Sequence, residues 1–568
     1  MFLDIACVFI GIDKRIAPYL WDHKLCPRIG LKKLIDRSLI YVDYDNKLRM
    51  HDDLRDLGRA IARPANKKLW DCSRLWDKEA MIVLRRKVEN ENIEALRLDE
   101  RGSKEFMKQE SFKNMPNLKF LHVKDVDFDG DFEGSLAELR WLKWGRCCDS
   151  FKATNFHLEK LVILDLSGDF FNGNYISENW RGWSSIKMER LKVLDLSQCS
   201  RLKTTPNLSA FKNLEMLILK ECVYLEEIDP SIRDVKRLVS LNLSYCRSLK
   251  KLPEQLGELE NLEELVVNKT PIKGIPSSIG KLRELVELDL SYTRIKELPE
   301  FIGQLNKLKI LKISYSDIKR LPSSIGKLQS LQELNAYGCF HLEGQILVDK
   351  GGLSSLKTLY LKDTNISGLP ENLDQLSSLE HLYLYRCYGL QSLPKPPCSL
   401  SSLWLTCRSN ELPSLSHLKH LQELTLDSCM SLQSIPELPS CIRKLCIWRC
   451  PKLDGLKQLD GLEALKSLRE LSLSLYSDEE ADNLHAIRGL EKLGSLEVVD
   501  ISKRKHIQEL DLSKSEHLKW LNVRNCKSLV EIRCPSKFLN LFDRRGCKSL
   551  EKFPDFLPHD GHYFLGKK

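Results

Sequence analysis

This 568-residue sequence has no long apolar run, and its positive and negative charges nearly balance. No stretch approaches the roughly 18 uninterrupted apolar residues that a transmembrane helix needs. The apolar start of the chain has no basic leader and contains Asp4, which argues against a secretory signal. We therefore expect no membrane span and a cytoplasmic, possibly nuclear, location. Lys and Arg outnumber Asp and Glu by only 88 to 79, and no dense basic tract indicates nucleic-acid binding.

Cysteines at the C-x-x-C spacing are also missing, although the sequence contains 19 cysteines. No C-x-x-C pair is present, so the spacing typical of zinc sites is absent and we expect no metal. The recurrent spacing is instead C-x-x-L. A cysteine that recurs once in each unit of a repeat predicts a buried structural thiol. The cysteines in this spacing are Cys199, Cys222, Cys246, Cys339, Cys387, Cys429, Cys450, Cys526 and Cys547.

The motif L-x-x-L-x-L recurs through the middle of the chain at intervals of 23 to 25 residues. This interval lies within the range of leucine-rich repeats, about 20–29 residues. Weaker copies begin at Ile93 and the last starts at Leu518, which gives about twenty units. The clearest copies start at Leu191, Leu214, Leu238, Leu262, Leu285, Leu308, Leu331, Leu356 and Leu379.

Each motif predicts a short strand, because L-x-L alternates with the period of two that strands require. Stacked copies bury their leucines in one apolar core, so we expect an α/β leucine-rich-repeat solenoid with a parallel β-sheet horseshoe. Proline after leucine, as at Pro299 and Pro322, ends the extended segment and starts a helical or irregular return. The ninth residue of each of these nine units is Cys, Thr or Ser, and we expect it to turn inward and bond to the backbone.

No constellation for catalysis is apparent. The segment from Gly274 to Lys281 looks like a phosphate loop, but it has one residue too many between its glycines and Leu282 in place of the hydroxyl. We also find no nucleophile–base pair, so we expect no enzymatic activity. In the polar tail, 556–568, His559 and His562 are a weak indication of a metal, and an exposed tail explains them better.

The first ninety residues follow a different pattern. We expect a helix around Leu31–Ile35, a strand at Ser38–Val42, a second strand at Lys47–Met50 and a helix from Asp52. This order is winged-helix-like, without the basic helix that DNA recognition needs. We therefore predict a small helical, winged-helix domain at 1–90 and repeats at 91–555.

Four segments resemble a known family. The segment Leu48–Arg59, which contains Met50, His51 and Asp52, closely resembles the Met-His-Asp motif of plant nucleotide-binding leucine-rich-repeat disease resistance proteins. The segment Phe2–Cys7 resembles an upstream block of the Toll/interleukin-1-receptor-type branch of that family. Arg74–Asp77 and Leu139–Leu142 are similar to the same branch.

The resemblance implies that the chain is the C-terminal part of such a receptor, without the signalling domain and phosphate loop. In that family the motif histidine approaches bound ADP, and His51 is the matching position. Complete members bind ADP or ATP. Because no phosphate loop is present here, we expect no cofactor in this fragment and a monomer. The alternative for His51 is a surface histidine with no ligand.

Aromatic residues gather on the outward-facing strand positions of the second half of the repeats. Tyr, Trp and Arg are enriched in binding hot spots, so these positions predict a ligand-recognition surface. The alternative is that the rings pack on one another and stabilise the repeats. The residues are Tyr337, Tyr360, Tyr383, Tyr385, Trp404, Trp448 and Arg449.

Two functions remain at this point. The resemblance implies an innate immune receptor that senses a pathogen effector or a guarded host protein through its repeats. The alternative is a non-immune leucine-rich-repeat scaffold for intracellular protein–protein interaction. The segment at Met50, His51 and Asp52 favours the receptor, because a plain scaffold has no use for it.

Overall fold

The structure is a computed structural model. It describes residues 1–553 apart from 65, 67, 87–89, 99–104, 148–150, 169–173, 350, 454–461, 477–481, 483 and 535–537. The proposed tail at 556–568, with His559 and His562, therefore lies outside the described residues. The chain divides into two compact units, Met1–Asp289 and Leu290–Lys568.

The first unit begins with a helical domain that contains a small hairpin. Strands Tyr41–Val42 and Leu48–Arg49 pair antiparallel, which confirms the expected hairpin with shorter strands. The helices are Phe2–Asp4, the π-helical turn Ile5–Phe9, the 3₁₀ turns Ala17–Leu20, His23–Leu25 and Leu69–Asp71, and the α-helices Pro27–Asp36, Asp52–Ala62 and Asp77–Arg86.

Helix Asp52–Ala62 packs closely on the start of the chain. Gly58 is buried there, and a Cβ at this position would lie 2.6 Å from the Cβ of Ala6. Glycine therefore permits the close approach of the two segments. Leu57 and Ile61 lie on the exposed side of the same helix, each with 54% of its surface accessible.

A parallel sheet follows in the first unit, one strand from each repeat. The leucines of successive motifs stand opposite one another, as Leu164, Leu194 and Leu217 do. These leucines are fully buried, as the repeat pattern predicts. The strands are Arg74–Trp76, Ala95–Leu98, Phe120–Lys124, Trp141–Gly145, Ile163–Asp165, Val193–Asp195, Met216–Ile218, Ser240–Asn242, Glu264–Val266 and Glu287–Asp289.

The second unit repeats the same architecture, so the leucine-rich-repeat fold class is confirmed in both units. Its sheet is parallel throughout the described residues. The strands are Ile310–Lys312, Glu333–Asn335, Thr358–Tyr360, His381–Leu384, Ser402–Leu405, Glu423–Asp427, Lys444–Trp448, Glu470–Ser472, Val498–Asp500, Trp520–Asn522 and Leu541–Asp543.

The return segments are short helical turns or second strands. Pro299 and Pro322 immediately precede 3₁₀ helices, which confirms the expected turn after Leu-Pro. The return helices are Gln109–Ser111, Gly182–Ser185, Pro230–Asp234, Glu254–Glu258, Ser277–Lys281, Glu300–Gln304, Ser323–Lys327, Leu373–Gln375, Leu462–Ala464 and Leu490–Lys492. The return strands are Glu105–Met107, Val126–Asp131, Lys152–Thr154, Glu343–Gln345, Asn365–Gly368, Glu509–Asp511 and Glu531–Arg533.

The ninth residue of the repeat bonds to the backbone, and the acceptor depends on its side chain. The Cys246 thiol donates to the carbonyl of Leu219 in the preceding repeat at 3.1 Å. The Thr270 hydroxyl instead donates to the carbonyl of Val267, in its own repeat, at 2.7 Å. The longer C–S bond and larger sulfur allow cysteine to tie neighbouring repeats together. The expected inward turn is thereby confirmed.

No helix among the described residues is long and apolar enough to cross a membrane. The described cysteines are free thiols. Within the same residues, no group of three or more His, Cys, Asp or Glu side chains is arranged to hold a metal ion.

Candidate functional site

The fifth positions of three consecutive repeats carry a continuous row of rings on one face of the second unit's sheet. The parallel register places Tyr360 opposite Tyr383 and Tyr383 opposite Trp404. The rings of Tyr360 and Tyr383 stack with centroids 4.7 Å apart and planes 4° from parallel. Tyr383 meets Trp404 edge to face at 5.6 Å. All three side chains are half-buried, so each presents a ring edge or face to solvent.

The seventh positions form a second row beside the first. The Lys362 ammonium lies 4.9 Å from the ring of Tyr337 and 5.1 Å from the ring of Tyr385, one in the repeat before and one in the repeat after. Tyr385 also approaches Trp404 at 6.4 Å, which joins the two rows. The cation therefore sits between two electron-rich ring faces, an arrangement that stabilises a positive charge.

Arg449 enters this surface from three repeats further along. Its backbone adopts the left-handed conformation, with φ of 50°, which is common to the eighth residue of many repeats here. The guanidinium donates to both carboxylate oxygens of Asp427, at 2.8 and 2.9 Å, and reaches the Tyr385 hydroxyl at 3.4 Å. Burial tends to lower the pKa of Arg449, but the bonds to Asp427 outweigh burial and raise that pKa. The guanidinium is thus held in place as a cation.

Six of the seven predicted residues are brought into one connected group. Tyr337 joins through Lys362, and the others join through rings or through Arg449. Among the described residues Trp448 does not share these ring or guanidinium contacts, and its indole nitrogen donates to Ser472 Oγ at 2.8 Å. The ring contacts are compatible with a recognition surface and equally with rings that pack on one another and stabilise the repeats. A measurement of partner binding is needed to distinguish the two interpretations.

His51 lies at the surface, directly before helix Asp52–Ala62. Its ring is 5.7 Å from that of Tyr41, across the hairpin. Met50 is buried, with 6% of its surface accessible, and Asp52 pairs with Arg55 at 2.7 Å. The histidine therefore projects from a segment that Met50 anchors, and its predicted contact with ADP stays a prediction.

Sequence reasoning missed an interface within the first unit. The helical domain covers the sheet face of the early repeats, where Phe9 meets Phe120 and Trp141 edge to face, each at 5.0 Å. The third residue of each L-x-x-L-x-L motif, which is the first residue of its strand, supplies the repeat side of this core. Its members are Ala95, Phe120, Trp141, Ile163, Val193 and Met216, all buried.

Polar contacts continue this interface beyond its apolar core. The Tyr19 hydroxyl donates to Glu215 at 2.8 Å, and Arg15 pairs with Glu264 at 2.6 Å. Burial and the bond to Glu215 both raise the pKa of Tyr19, so the phenol stays protonated and keeps donating. A cavity of about 450 Å³ opens beside these contacts, lined by residues that include Arg28 and Lys192.

The sequence does carry a signal for this interface. The third position faces away from the repeat core, so it is expected to be polar unless something covers it. It is apolar from Ala95 to Met216 and then changes to Ser240, Glu264 and Glu287. The change marks where the apolar part of the interface ends and its polar contacts, such as Arg15 with Glu264, begin. The aromatic face of the second unit is a separate feature of the sequence.

Comparisons with known proteins agree with the two regions. Residues 1–66 match the family model "Disease resistance protein Roq1-like, winged-helix domain", and residues 190–290 match a leucine-rich-repeat region model. TMV resistance protein N of Nicotiana glutinosa is 30% identical over 268 residues, which is 47% of this chain and 22% of that protein. Disease resistance protein RUN1 of Vitis rotundifolia is 30% identical over 274 residues, 42% of this chain and 20% of that protein.

A leucine-rich-repeat protein of Leptospira interrogans is similar in structure, with a TM-score of 0.45 and 21% identity, over 68% of this chain and 86% of that one. The matches to the disease resistance proteins cover about a fifth of the length of those relatives. Winged-helix and leucine-rich-repeat regions are non-catalytic domains. The resemblance seen in the sequence is confirmed: the chain is similar to the C-terminal winged-helix and leucine-rich-repeat regions of Toll/interleukin-1-receptor-type plant disease resistance proteins.

Proposed function

We propose that this chain is the sensing region of a plant innate immune receptor. It would recognise a protein, either a pathogen effector or a guarded host protein, through the aromatic face of the second unit. The observation that carries the proposal is the half-exposed row of Tyr360, Tyr383 and Trp404, in a chain similar to disease resistance proteins. Large rings with few rotatable bonds supply contact area at low entropic cost.

The proposal includes no catalytic step in this region. Recognition requires only a surface, and the signalling chemistry would reside in other parts of the complete receptor. We propose a cytoplasmic, possibly nuclear, location and a monomer for this fragment. We further propose that His51 contacts ADP only when a complete nucleotide-binding module accompanies it, so that the fragment alone holds no cofactor.

The test is a resistance assay in the source plant with the gene altered at single positions. We expect Tyr383→Ala and Trp404→Ala each to abolish pathogen-induced resistance at unchanged protein level. Tyr224→Ala is the matched control, because Tyr224 is an exposed ring of the first unit, with 58% of its surface accessible. Full resistance in both test variants, or equal loss in the control, would overturn the proposal.

The same variants, compared for their host protein partners by co-purification, address the scaffold alternative. A scaffold gathers host proteins whether or not a pathogen is present. If the Tyr383 and Trp404 variants lose host protein partners in uninfected tissue while resistance is unchanged, the scaffold function is favoured.

A further inference from the structure

Three cations converge on the single ring of Tyr385. Lys362 lies 5.1 Å from the ring centroid, Arg386 lies 5.3 Å from it, and Arg449 reaches the hydroxyl at 3.4 Å. Like charges repel, so such a cluster persists only where other groups offset the repulsion. The three side chains come from three different repeats, and the stacking of the sheet brings them together.

Two of these cations are already neutralised by carboxylates of the same face. Arg386 pairs with Asp363 at 3.5 Å, and Arg449 pairs with Asp427 at 2.8 Å. Asp427 is fully buried, so its bond to Arg449 is shielded from solvent. The planar guanidinium groups, which phosphate would prefer as forked donors, are therefore committed within the protein.

Lys362 differs from the two arginines. Among the described residues its contacts are the rings of Tyr337 and Tyr385, and no carboxylate there forms an ion pair with it. Lys362 is half-buried, so part of its hydration is lost, and its ammonium carries three N–H donors. A fixed ammonium between two rings, with one unmatched positive charge, suits a singly charged oxygen ligand.

We infer that Lys362 and the rings around it receive a carboxylate from an acidic, extended segment of the partner protein. This inference rests on the proposed function, because it names the chemistry of the partner that the same face would bind. From strand Glu333–Asn335 to strand Lys444–Trp448 the face crosses five strand spacings, about 24 Å. An extended segment of six residues spans about 20 Å, which matches that width.

The test uses an acetylated, amidated hexaglutamate peptide carrying a rhodamine dye, titrated with the full chain at low salt. Fluorescence anisotropy is expected to show saturable binding, and hexaglutamine with the same dye is expected not to bind. Lys362→Gln should weaken hexaglutamate binding about tenfold, the loss of one charge-assisted hydrogen bond. Lys362→Arg keeps the charge and should stay within about threefold of the unaltered chain.

Lys357→Gln is the matched control. Lys357 lies in the same repeat, is exposed and pairs with Glu380, so its loss removes the same charge away from the rings. We expect no more than a twofold effect. Equal weakening by both variants would mean general charge attraction and would overturn the inference, as would binding of hexaglutamine or displacement by an equal concentration of phosphate.

The two proposals fail differently. If hexaglutamate does not bind although Tyr383→Ala abolishes resistance, the carboxylate chemistry is wrong and the immune function stands. If hexaglutamate binds through Lys362 while neither Tyr383→Ala nor Trp404→Ala alters resistance, the carboxylate site stands and the immune function is wrong.

Discussion

Phe9 of the helical domain meets Trp141, the first residue of strand Trp141–Gly145, edge to face: the ring centroids are 5.0 Å apart and the ring planes lie at 80°. The contact fixes the helical domain on the early repeats of the first unit, and both side chains are buried. The repeat face is therefore used in two ways. Within the first unit it binds another part of the same chain, whereas within the second unit the rings of Tyr360, Tyr383 and Trp404 are half-exposed.

Phe9→Ala is expected to lower the free energy of unfolding by about 3–5 kcal/mol, because it removes a buried ring and leaves a cavity against Phe120 and Trp141. Denaturant unfolding of the full chain measures the change. Phe340→Ala is the control, since Phe340 is 62% exposed and should cost much less. Equal losses in the two variants would show that the interface adds nothing.

Arg449→Met is expected to lower the free energy of unfolding by about 3 kcal/mol, the low end of the cost of breaking a buried ion pair, because the Arg449 side chain is 23% exposed. The substitution leaves the Asp427 carboxylate, which is fully buried, without its charged partner. Asp427→Asn added to Arg449→Met should restore part of the loss, because the unpaired charge is then gone. If the double variant is less stable than Arg449→Met by as much as Asp427→Asn alone destabilises the unaltered chain, the two changes are additive. Additivity would contradict a stabilising ion pair between Arg449 and Asp427.

Thiol labelling should follow burial. Burial raises the pKa of Cys246 to about 12 and leaves the thiol protonated at pH 8, so it should not react in the native chain. Cys26 and Cys398 are exposed and should be modified first. Peptide mapping after a short exposure to iodoacetamide measures the order. Early modification of Cys246 in the native protein would contradict the burial of the cysteines at the ninth position of the repeats.

Raising the pH should lower the free energy of unfolding, because the same buried thiols resist ionisation in the folded state. Cys246 has a pKa of about 12 when folded, above its ordinary value of 9.0, so the unfolded state loses its proton first. The stabilisation is complete below pH 9 and declines as pH rises toward 12. Comparing unfolding at pH 8 and 10.5, Cys246→Ala should lose less stability over this interval than the unaltered chain. Identical losses would exclude a contribution from Cys246.

ADP is not expected to bind the chain on its own. His51 is a single surface histidine, and no phosphate loop is present in the sequence to hold the phosphates. Isothermal titration with ADP and magnesium should show no saturable heat. Submillimolar binding that is lost in His51→Ala would contradict this expectation and would assign a nucleotide role to the fragment itself.

Much of the fold follows from the sequence, because the leucine period fixes which side chains are buried. The strands, the Leu-Pro turns and the inward ninth residue are confirmed for that reason. The hairpin strands are shorter than predicted, since residues at Ser38–Ile40 do not pair. Propensity alone does not define where backbone pairing stops.

The predicted surface was harder to complete from sequence. The period identified Tyr360, Tyr383 and Trp404 as neighbours, and their stacking agrees with it. It did not identify Lys362 or Asp427, because charged residues at outward positions usually indicate only solvated faces. Their roles depend on side chains from other repeats, and Arg449 lies 64 residues from Tyr385.

The most direct test of a recognition role for the aromatic face is equilibrium unfolding of Tyr383→Ala combined with Trp404→Ala. If the rings serve a partner, the double variant should lose no more than about 1 kcal/mol, the scale of a partly exposed aromatic pair. A loss of about 4 kcal/mol or more would show that the rings hold the repeats together, and would contradict the recognition surface.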